Sequence, residues 1–229
     1  MTITTTPQRD PQCSPRTDSE LFEVGGGAER AARVGQGEHP LLAAELRAGP
    51  VRALSLWQPW ASWVADGRKL VENRSWPPPS DLVCGLMLVH ATRKVDPDAN
   101  GVCERFGMPL TYGPLGAVLG VVRVMGAVRT EGLLLVPAVR GSWRIDRAAP
   151  PSHPHVSEVT ESRWFFGPWG WLLKDATPLA RPVPARGAQR LWTPSRELVE
   201  LVAAEMEASG ASRRRPPGRP PARRGEGAL

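Results

Sequence analysis

The sequence predicts an α+β domain, built as a small β-barrel or strongly curved mixed sheet with a few flanking helices. Predicted strands outnumber predicted helices, and the helices fall between the strands without a regular alternation. No glycine-rich phosphate loop follows a predicted strand, which argues against a doubly wound nucleotide-binding fold. We expect this domain to cover residues 51–193, about the usual size of a single domain.

Hydrophobic periodicity and turn residues place the elements of this domain. We predict helices over 59–66 and 96–107, and strands over 51–56, 68–76, 82–91, 116–128 and 170–174. An edge element is expected over 186–192. Residues 129–163 combine prolines, arginines and short apolar runs, so we predict a long insertion there.

Two extensions flank the domain. Residues 1–50 begin with a stretch poor in large apolar side chains, which predicts a mostly disordered extension with a short helix over 40–49 at its end. Residues 194–229 begin with a predicted helix through about residue 207 and end in an Arg/Pro-rich tail that we expect to be disordered.

The charge of the chain lies in the predicted domain. The 229 residues carry a net charge of +6, and residues 51–193 contain 17 basic against 11 acidic residues. A basic domain surface favours polyanions such as nucleic acid. Because only three of the 29 basic residues are lysine, an arginine-rich proteome would explain the excess equally well. No signal peptide and no apolar run of membrane-spanning length is present, so we expect a cytoplasmic protein without membrane contact.

The stretch from Leu54 to His90 holds the candidate functional residues. Four of the nine tryptophans lie between Trp57 and Trp76, interleaved with amide, amine, carboxylate and guanidinium side chains. Aromatic faces mixed with such groups suit the binding of bases and phosphates. Trp60 and Trp63 have helical spacing, which favours a place in the core.

Three motifs in this stretch resemble the ASCH domain family. They are Leu54-Ser55-Leu56-Trp57-Gln58-Pro59-Trp60-Ala61, the run Gly67-Arg68-Lys69-Leu70-Val71-Glu72-Asn73-Arg74-Ser75-Trp76, and Leu88-Val89-His90-Ala91. The resemblance implies a PUA-like β-barrel that binds RNA in a cleft. Some members of the family remove an acyl group from a modified cytidine, and others cleave RNA. The deacylating members use a lysine and a threonine in a K-x-x-T run; here Lys69 matches the lysine, and Glu72 stands at the threonine position.

The first functional hypothesis is a domain that binds RNA or a nucleotide in one cleft. Lys69 and Arg74 would contact phosphate, Trp57 would stack on a base, and the remaining residues would read base edges or line the rim. The expected lining residues are Trp57, Gln58, Lys69, Glu72, Arg74, Trp76 and His90. Simpler structural roles compete with these, since Gln58 suits a helix cap and a histidine that ends a buried strand is often satisfied by a hydrogen bond.

The second hypothesis is a hydrolase for a modified nucleoside or for RNA, with Lys69 and Glu72 as catalytic residues. It requires the two side chains to lie within hydrogen-bonding reach of each other or of a shared water. In a regular strand Glu72 and Arg74 share one face and Lys69 points away. The turn after Gly67 must therefore carry a bulge or twist. A simpler alternative is a solvated lysine beside a surface ion pair of Glu72 with Arg74.

Neither a metal nor another cofactor is expected. The pair His153 and His155 has no third ligand nearby in the chain. We expect a monomer whose partner is RNA or a nucleotide.

Overall fold

The computed structural model describes residues 39–82, 84–109, 113–130, 134–138, 142–146 and 154–212. The helices are α1 (His39–Ala48), α2 (Trp60–Ala65), α3 (Ala99–Phe106), α4 (Pro154–Thr160) and α5 (Arg196–Ser212). The strands are β1 (Arg52–Gln58), β2 (Val71–Arg74), β3 (Leu86–Val95), β4 (Ala117–Arg129), β5 (Leu134–Ala138), β6 (Ser142–Asp146), β7 (Trp169–Pro184) and β8 (Leu191–Trp192).

The strands form one mixed sheet. Its main path runs β2-β7-β4-β3-β1-β8, and a β5-β6 hairpin extends from β4. β1 and β3 are parallel, and the other pairs are antiparallel. Among the described strands, β2 and β8 end the path without pairing with each other. The α+β class is thus confirmed, whereas a closed barrel is not.

Each face of the sheet packs against its own helices. On one face, Leu54 and Leu56 of β1 join the core that contains Val64 of α2. On the other face, Ala53 packs in a cluster with Leu46 of α1 and residues of α5. Because neighbouring residues of a strand point to opposite sides, the parity of each β1 residue determines which core it meets.

The predicted helices and strands correspond to observed elements, with shifts at their ends. The helix expected over 40–49 is α1, and its partner is α5 across the second face. The segment 129–163 contains β5, β6 and α4 where it is described. The two expected disordered tails lie in residues 1–38 and 213–229, outside the described residues.

The strand predicted over 170–174 is too short. β7 continues to Pro184, through the proline-rich segment that we had not assigned to a strand. β2 pairs with residues 169–172 of β7, and beyond them the described partner strand of β7 is β4. The far part of β7 is therefore a sheet edge, where a residue without an N–H is tolerated.

Candidate active site

Gln58 ends β1 on the face that carries α2, and both the nitrogen and the oxygen of its amide form hydrogen bonds within the protein. The side chain is 0% exposed. Its Nε2 donates to the carbonyl of Pro114 at 2.9 Å, and its Oε1 accepts from the backbone N–H of Ser62 at 3.1 Å. Gln58 therefore acts as the cap of α2, and its amide is not free to read a base edge.

Lys69 and Glu72 lie in contact inside the protein. They are 2% and 5% exposed, and the ammonium of Lys69 donates both to Glu72 Oε2 and to the carbonyl of Val71, the latter at 2.8 Å. Lys69 precedes β2 and sits in the turn after Gly67, where its backbone N–H bonds to the carbonyl of Trp63. Strand alternation thus does not apply to Lys69, and its side chain folds back over the start of β2.

Arg74 completes a charged triad with this pair. Its Nη2 lies 2.8 Å from Glu72 Oε1, so each oxygen of the carboxylate faces one cation. The Arg74 side chain is 19% exposed. Its Nε is buried and has no hydrogen-bond partner among the described residues. With Lys69 protonated the triad carries one net positive charge, and the buried Nε of Arg74 is a donor that it leaves unused.

Burial has the largest effect on the pKa of Lys69. Desolvation lowers the pKa of Lys69 below its ordinary value, the charge and hydrogen bond of Glu72 act in the opposite direction, and Arg74 lowers it further. The ring centroid of Trp60 lies 5.7 Å from the ammonium, and the Trp60 indole N–H donates to Asp96 at 2.8 Å. Trp60 thus covers the triad and links it to the start of α3.

His90 does not join this group. It pairs in register with Ser55, and its Nδ1 lies 3.1 Å from Ser55 Oγ while its Nε2 lies 3.2 Å from the carbonyl of Ala185. The ring packs edge-to-face on Trp192, which belongs to the α1/α5 side of the sheet. The prediction of one cleft lined by both Gln58 and His90 is therefore not met, because strand alternation places them on opposite faces.

The two remaining aromatic candidates also separate. Trp57 alternates with Gln58 and is 42% exposed, with the Lys94 ammonium 5.9 Å from its ring centroid. Trp76 is half-buried, packs edge-to-face on Trp171 at 4.8 Å and accepts the Trp171 indole N–H at its carbonyl. Trp57 lies free at the surface, whereas Trp76 covers the core.

Sequence reasoning missed Trp60 and Asp96 as neighbours of the triad. The helical spacing of Trp60 and Trp63 favoured the core for both. Of these two, Trp63 is fully buried at 0% exposed, whereas Trp60 is partly exposed. Trp60 also lines a cavity of about 280 Å³ whose wall includes Asp98, Arg105 and the exposed Phe166. Asp96 gave no signal in the sequence beyond its position at a helix start.

Two kinds of site find no support in the described part of the chain. No group of three or more His, Cys, Asp or Glu side chains there could hold a metal ion. His153 lies outside the described residues. Among the helices of the described ranges, none is long and apolar enough to cross a membrane.

The central part of the chain is similar to a known protein family. The family model of the ASCH domain matches residues 54–133. The crystal structure of ASCH from Zymomonas mobilis is 18% identical, with a TM-score of 0.36, and the match covers 70% of this chain and 94% of that chain. A tyrosine-to-phenylalanine mutant of the same protein matches at 18% identity and a TM-score of 0.35, with coverage of 71% and 97%. A search of curated proteins finds no match.

Proposed function

We propose that this chain, whose residues 54–133 match the ASCH family model, is a hydrolase for a modified nucleoside of the acyl-cytidine type. The observation that carries this proposal is the buried contact between Lys69 and Glu72. A lysine in reach of a carboxylate, with its pKa lowered by burial, is suited to general-base catalysis.

The free-energy cost of burying the charged groups of the triad supports a functional role. Removing an ion from water costs several kcal/mol even after the protein relaxes, and a well-packed apolar group is often at least as stabilising as a buried ion pair. Lys69 and Glu72 bear this cost inside a domain whose buried side chains are mostly aliphatic and aromatic. A charged group kept at such a position is a candidate for chemistry.

The hydrogen bonds of Lys69 are compatible with a neutral amine. Two of its N–H groups satisfy the Val71 carbonyl and Glu72, and a neutral amine has these two donors together with one lone pair. In the proposed reaction the lone pair takes a proton from water, and the hydroxide attacks the acyl carbonyl. The C–N bond to the base breaks, and the Lys69 ammonium returns the proton to the departing amino group. One water is consumed, and the free cytidine and a carboxylic acid are formed; the acid then releases its proton to the solvent.

Glu72 and Arg74 have supporting roles in this scheme. Glu72 holds the lysine, and its position where deacylating members have threonine leaves water, rather than a side chain, as the nucleophile. The unused Nε of Arg74 is a donor for the oxyanion that develops on the acyl group.

Release of cytidine from N4-acetylcytidine, followed by chromatography, tests the proposal. Lys69→Ala should reduce the rate at least about 100-fold, since general-base catalysis contributes roughly 10²–10⁴-fold. Lys174→Ala is the matched control, because it removes a lysine that pairs with Glu158 at the surface. An RNA pool in parallel reveals cleavage of the strand instead. A wild-type protein that releases cytidine no faster than buffer would contradict the proposal.

A second candidate function is the binding of RNA or a nucleotide without turnover. The slight exposure of Lys69 and Glu72 favours it, because a substrate must reach the pair to react. In this case Arg74 contacts phosphate and Lys69 remains charged. The binding constant for an RNA pool should then fall steeply with salt. Neither the wild type nor Lys69→Ala should release cytidine. A salt-independent binding constant would exclude this alternative.

A further inference from the structure

The indole ring of Trp60 lies against the amino group of Lys69. The ring centroid is 5.7 Å from Lys69 Nζ. The face of an indole carries negative potential and attracts a cation within about 6 Å of its centroid. This attraction is strongest where water is excluded, and Lys69 is 2% exposed. The ring therefore favours the ammonium form of Lys69 over the neutral amine.

The carboxylate of Asp96 holds this indole by its polar edge. Asp96 Oδ2 accepts the Trp60 indole N–H at 2.8 Å, and Asp96 Oδ1 accepts the backbone N–H of Asp98 at 3.0 Å. The backbone of Asp96 is fixed as well, because its N–H donates to the carbonyl of Gln58 at 2.7 Å and its carbonyl accepts from Ala99 at 3.0 Å. The indole thus has a rigid acceptor at the junction of β3 and α3.

Three aromatic rings fix the plane of the Trp60 indole. Their centroids lie 5.3, 6.0 and 6.4 Å from that of Trp60, and each ring meets it edge-to-face; they belong to Trp63, Phe106 and Trp164. In such a packed cluster the indole cannot turn away from Lys69 unless its neighbours move. A charged acceptor on the indole N–H also polarises the ring toward greater negative charge. Asp96 therefore acts on Lys69 through Trp60.

The charged groups that face Lys69 directly come from β2. Glu72 favours the ammonium of Lys69, whereas burial and the charge of Arg74 disfavour it and lower the pKa. Arg74 also pairs with Glu72, so one carboxylate serves two cations. Arg68, the residue before Lys69, pairs with Asp66 instead. When Lys69 accepts a proton, the shared carboxylate neutralises only part of the charge around it, and the face of the indole is the further source of stabilisation.

We propose that Trp60 and Asp96 are positioning residues for Lys69: Asp96 fixes the indole, and the face of the indole stabilises the ammonium that forms when Lys69 accepts a proton. The inference rests on the proposed function, in which Lys69 takes that proton from water. The resting amine is neutral, so this stabilisation is greater in the transition state than in the ground state. Loss of the ring should therefore lower kcat and leave KM unchanged.

The experiment uses the small number of lysines in the chain. There are three, Lys69, Lys94 and Lys174, so ¹³C labelling of lysine Cε gives three signals to titrate by NMR. Trp60→Leu should lower the pKa of Lys69 by about 0.4–1.5, the strength of one cation–π contact. Trp60→Phe keeps a ring face and should restore most of the pKa. Asp96→Asn should lower the pKa by less, and Lys69→Met assigns the signal.

Two further variants separate an effect through the ring from an effect of charge alone. Asp98→Asn is the matched control, because it removes a carboxylate two residues away that has no bond to the indole, and it should leave the pKa of Lys69 unchanged. In the double variant, Asp96→Asn should add nothing to Trp60→Leu. Equal shifts in Asp96→Asn and Asp98→Asn would overturn the inference, since charge alone would then explain them.

Kinetics on N4-acetylcytidine test the catalytic part of the inference. In Trp60→Leu, kcat should fall about 2- to 30-fold with KM unchanged, and the acid limb of the pH profile should move to lower pH. An unchanged Lys69 pKa in both Trp60→Leu and Asp96→Asn, with the fold verified by circular dichroism, would overturn the inference. A lowered Lys69 pKa in variants of a protein that does not release cytidine would support the role of Trp60 and contradict the hydrolase. Release of cytidine with a Lys69 pKa that is independent of Trp60 would do the reverse.

Discussion

Lys69 and His90 are both basic side chains from the same stretch of sequence, and both are almost fully buried, yet the protein surrounds them differently. Lys69 lies between a carboxylate and a guanidinium, so its neighbours carry full charges. His90 meets a hydroxyl, a backbone carbonyl and an indole ring. Desolvation lowers the pKa of each group, but only Lys69 has a charged partner that opposes the shift.

The neighbours of His90 explain its burial by a structural role, whereas those of Lys69 do not. A histidine bonded to neutral groups fixes the loop between β7 and β8 against β1 at little electrostatic cost. The Lys69 triad holds three ionisable side chains where apolar groups would also pack, and it calls for a role beyond the fold. Four substitutions test this difference between the Lys69 triad and the His90 site.

Removal of the shared carboxylate should have the largest effect. Glu72→Gln removes the carboxylate that faces both Lys69 and Arg74 and leaves the Arg74 guanidinium without its counter-charge, and we expect a loss of about 3–5 kcal/mol in the free energy of unfolding. Lys69→Met should cost less, because Glu72 keeps Arg74 as its partner. Urea denaturation of both variants and of the double variant gives the coupling. Equal costs for the two single variants would contradict the view that Glu72 is the centre of the triad.

A methyl group added against His90 should have the next largest effect. A Cβ built at Gly187 lies 2.2 Å from His90 Cε1, so the loop or the ring must move. We expect Gly187→Ala to cost about 1–3 kcal/mol in the free energy of unfolding. Gly49→Ala is the matched control, because its closest contact of 3.4 Å is ordinary van der Waals packing. Similar thermal midpoints for the two variants would show that the His90 site is loosely packed.

The pH dependence of stability should follow from the lowered pKa of His90. The unfolded chain binds a proton near pH 6.5, whereas folded His90 binds it only at lower pH. The free energy of unfolding therefore falls as the pH drops below 6.5, by up to about 1.4 kcal/mol for each unit of pKa difference. His90→Gln should flatten this fall in chemical denaturation between pH 5 and 7. An unchanged slope in the variant would assign the acid sensitivity to other groups.

The smallest effect is expected from an ion pair near the surface. Arg52 and Asp81 pair at 2.6 Å, but their side chains are 34% and 30% exposed. Asp81→Asn should cost about 0.2–1 kcal/mol in the free energy of unfolding, and high salt should reduce the difference. A loss comparable to that of Glu72→Gln would show that burial does not account for the difference between this ion pair and the Lys69 triad.

Local sequence signals predicted the elements well, but the grouping of the site residues less well. Proline, glycine and apolar spacing located α1 to α3 and most strands. The contact of Lys69 with Glu72 required a bend that strand periodicity alone does not give, and the motif placed the two residues close enough for it. The prediction of a single cleft was wrong about which residues line it. A pattern along the chain does not show which face of the sheet each residue occupies. Gln58 and Trp57 are neighbours in sequence and lie on opposite faces of β1.

β7 was the least predictable element, since its prolines argue against a strand. Beyond residue 172 the described partner of β7 is β4 alone, so the other side of this part of β7 is a sheet edge that accommodates the prolines.

The position of β7 between β2 and β4 also determines when the Lys69 triad can exist. β2 carries Glu72 and Arg74, and its described neighbour in the sheet is the segment Trp169–Leu172. During synthesis the ribosome has released the whole family-matched segment, residues 54–133, well before this segment emerges. In the nascent chain, Glu72 and Arg74 therefore lie in an unpaired segment until β7 pairs with β2. A fragment that ends at residue 133 should lack an assembled site, however well its motifs match the family.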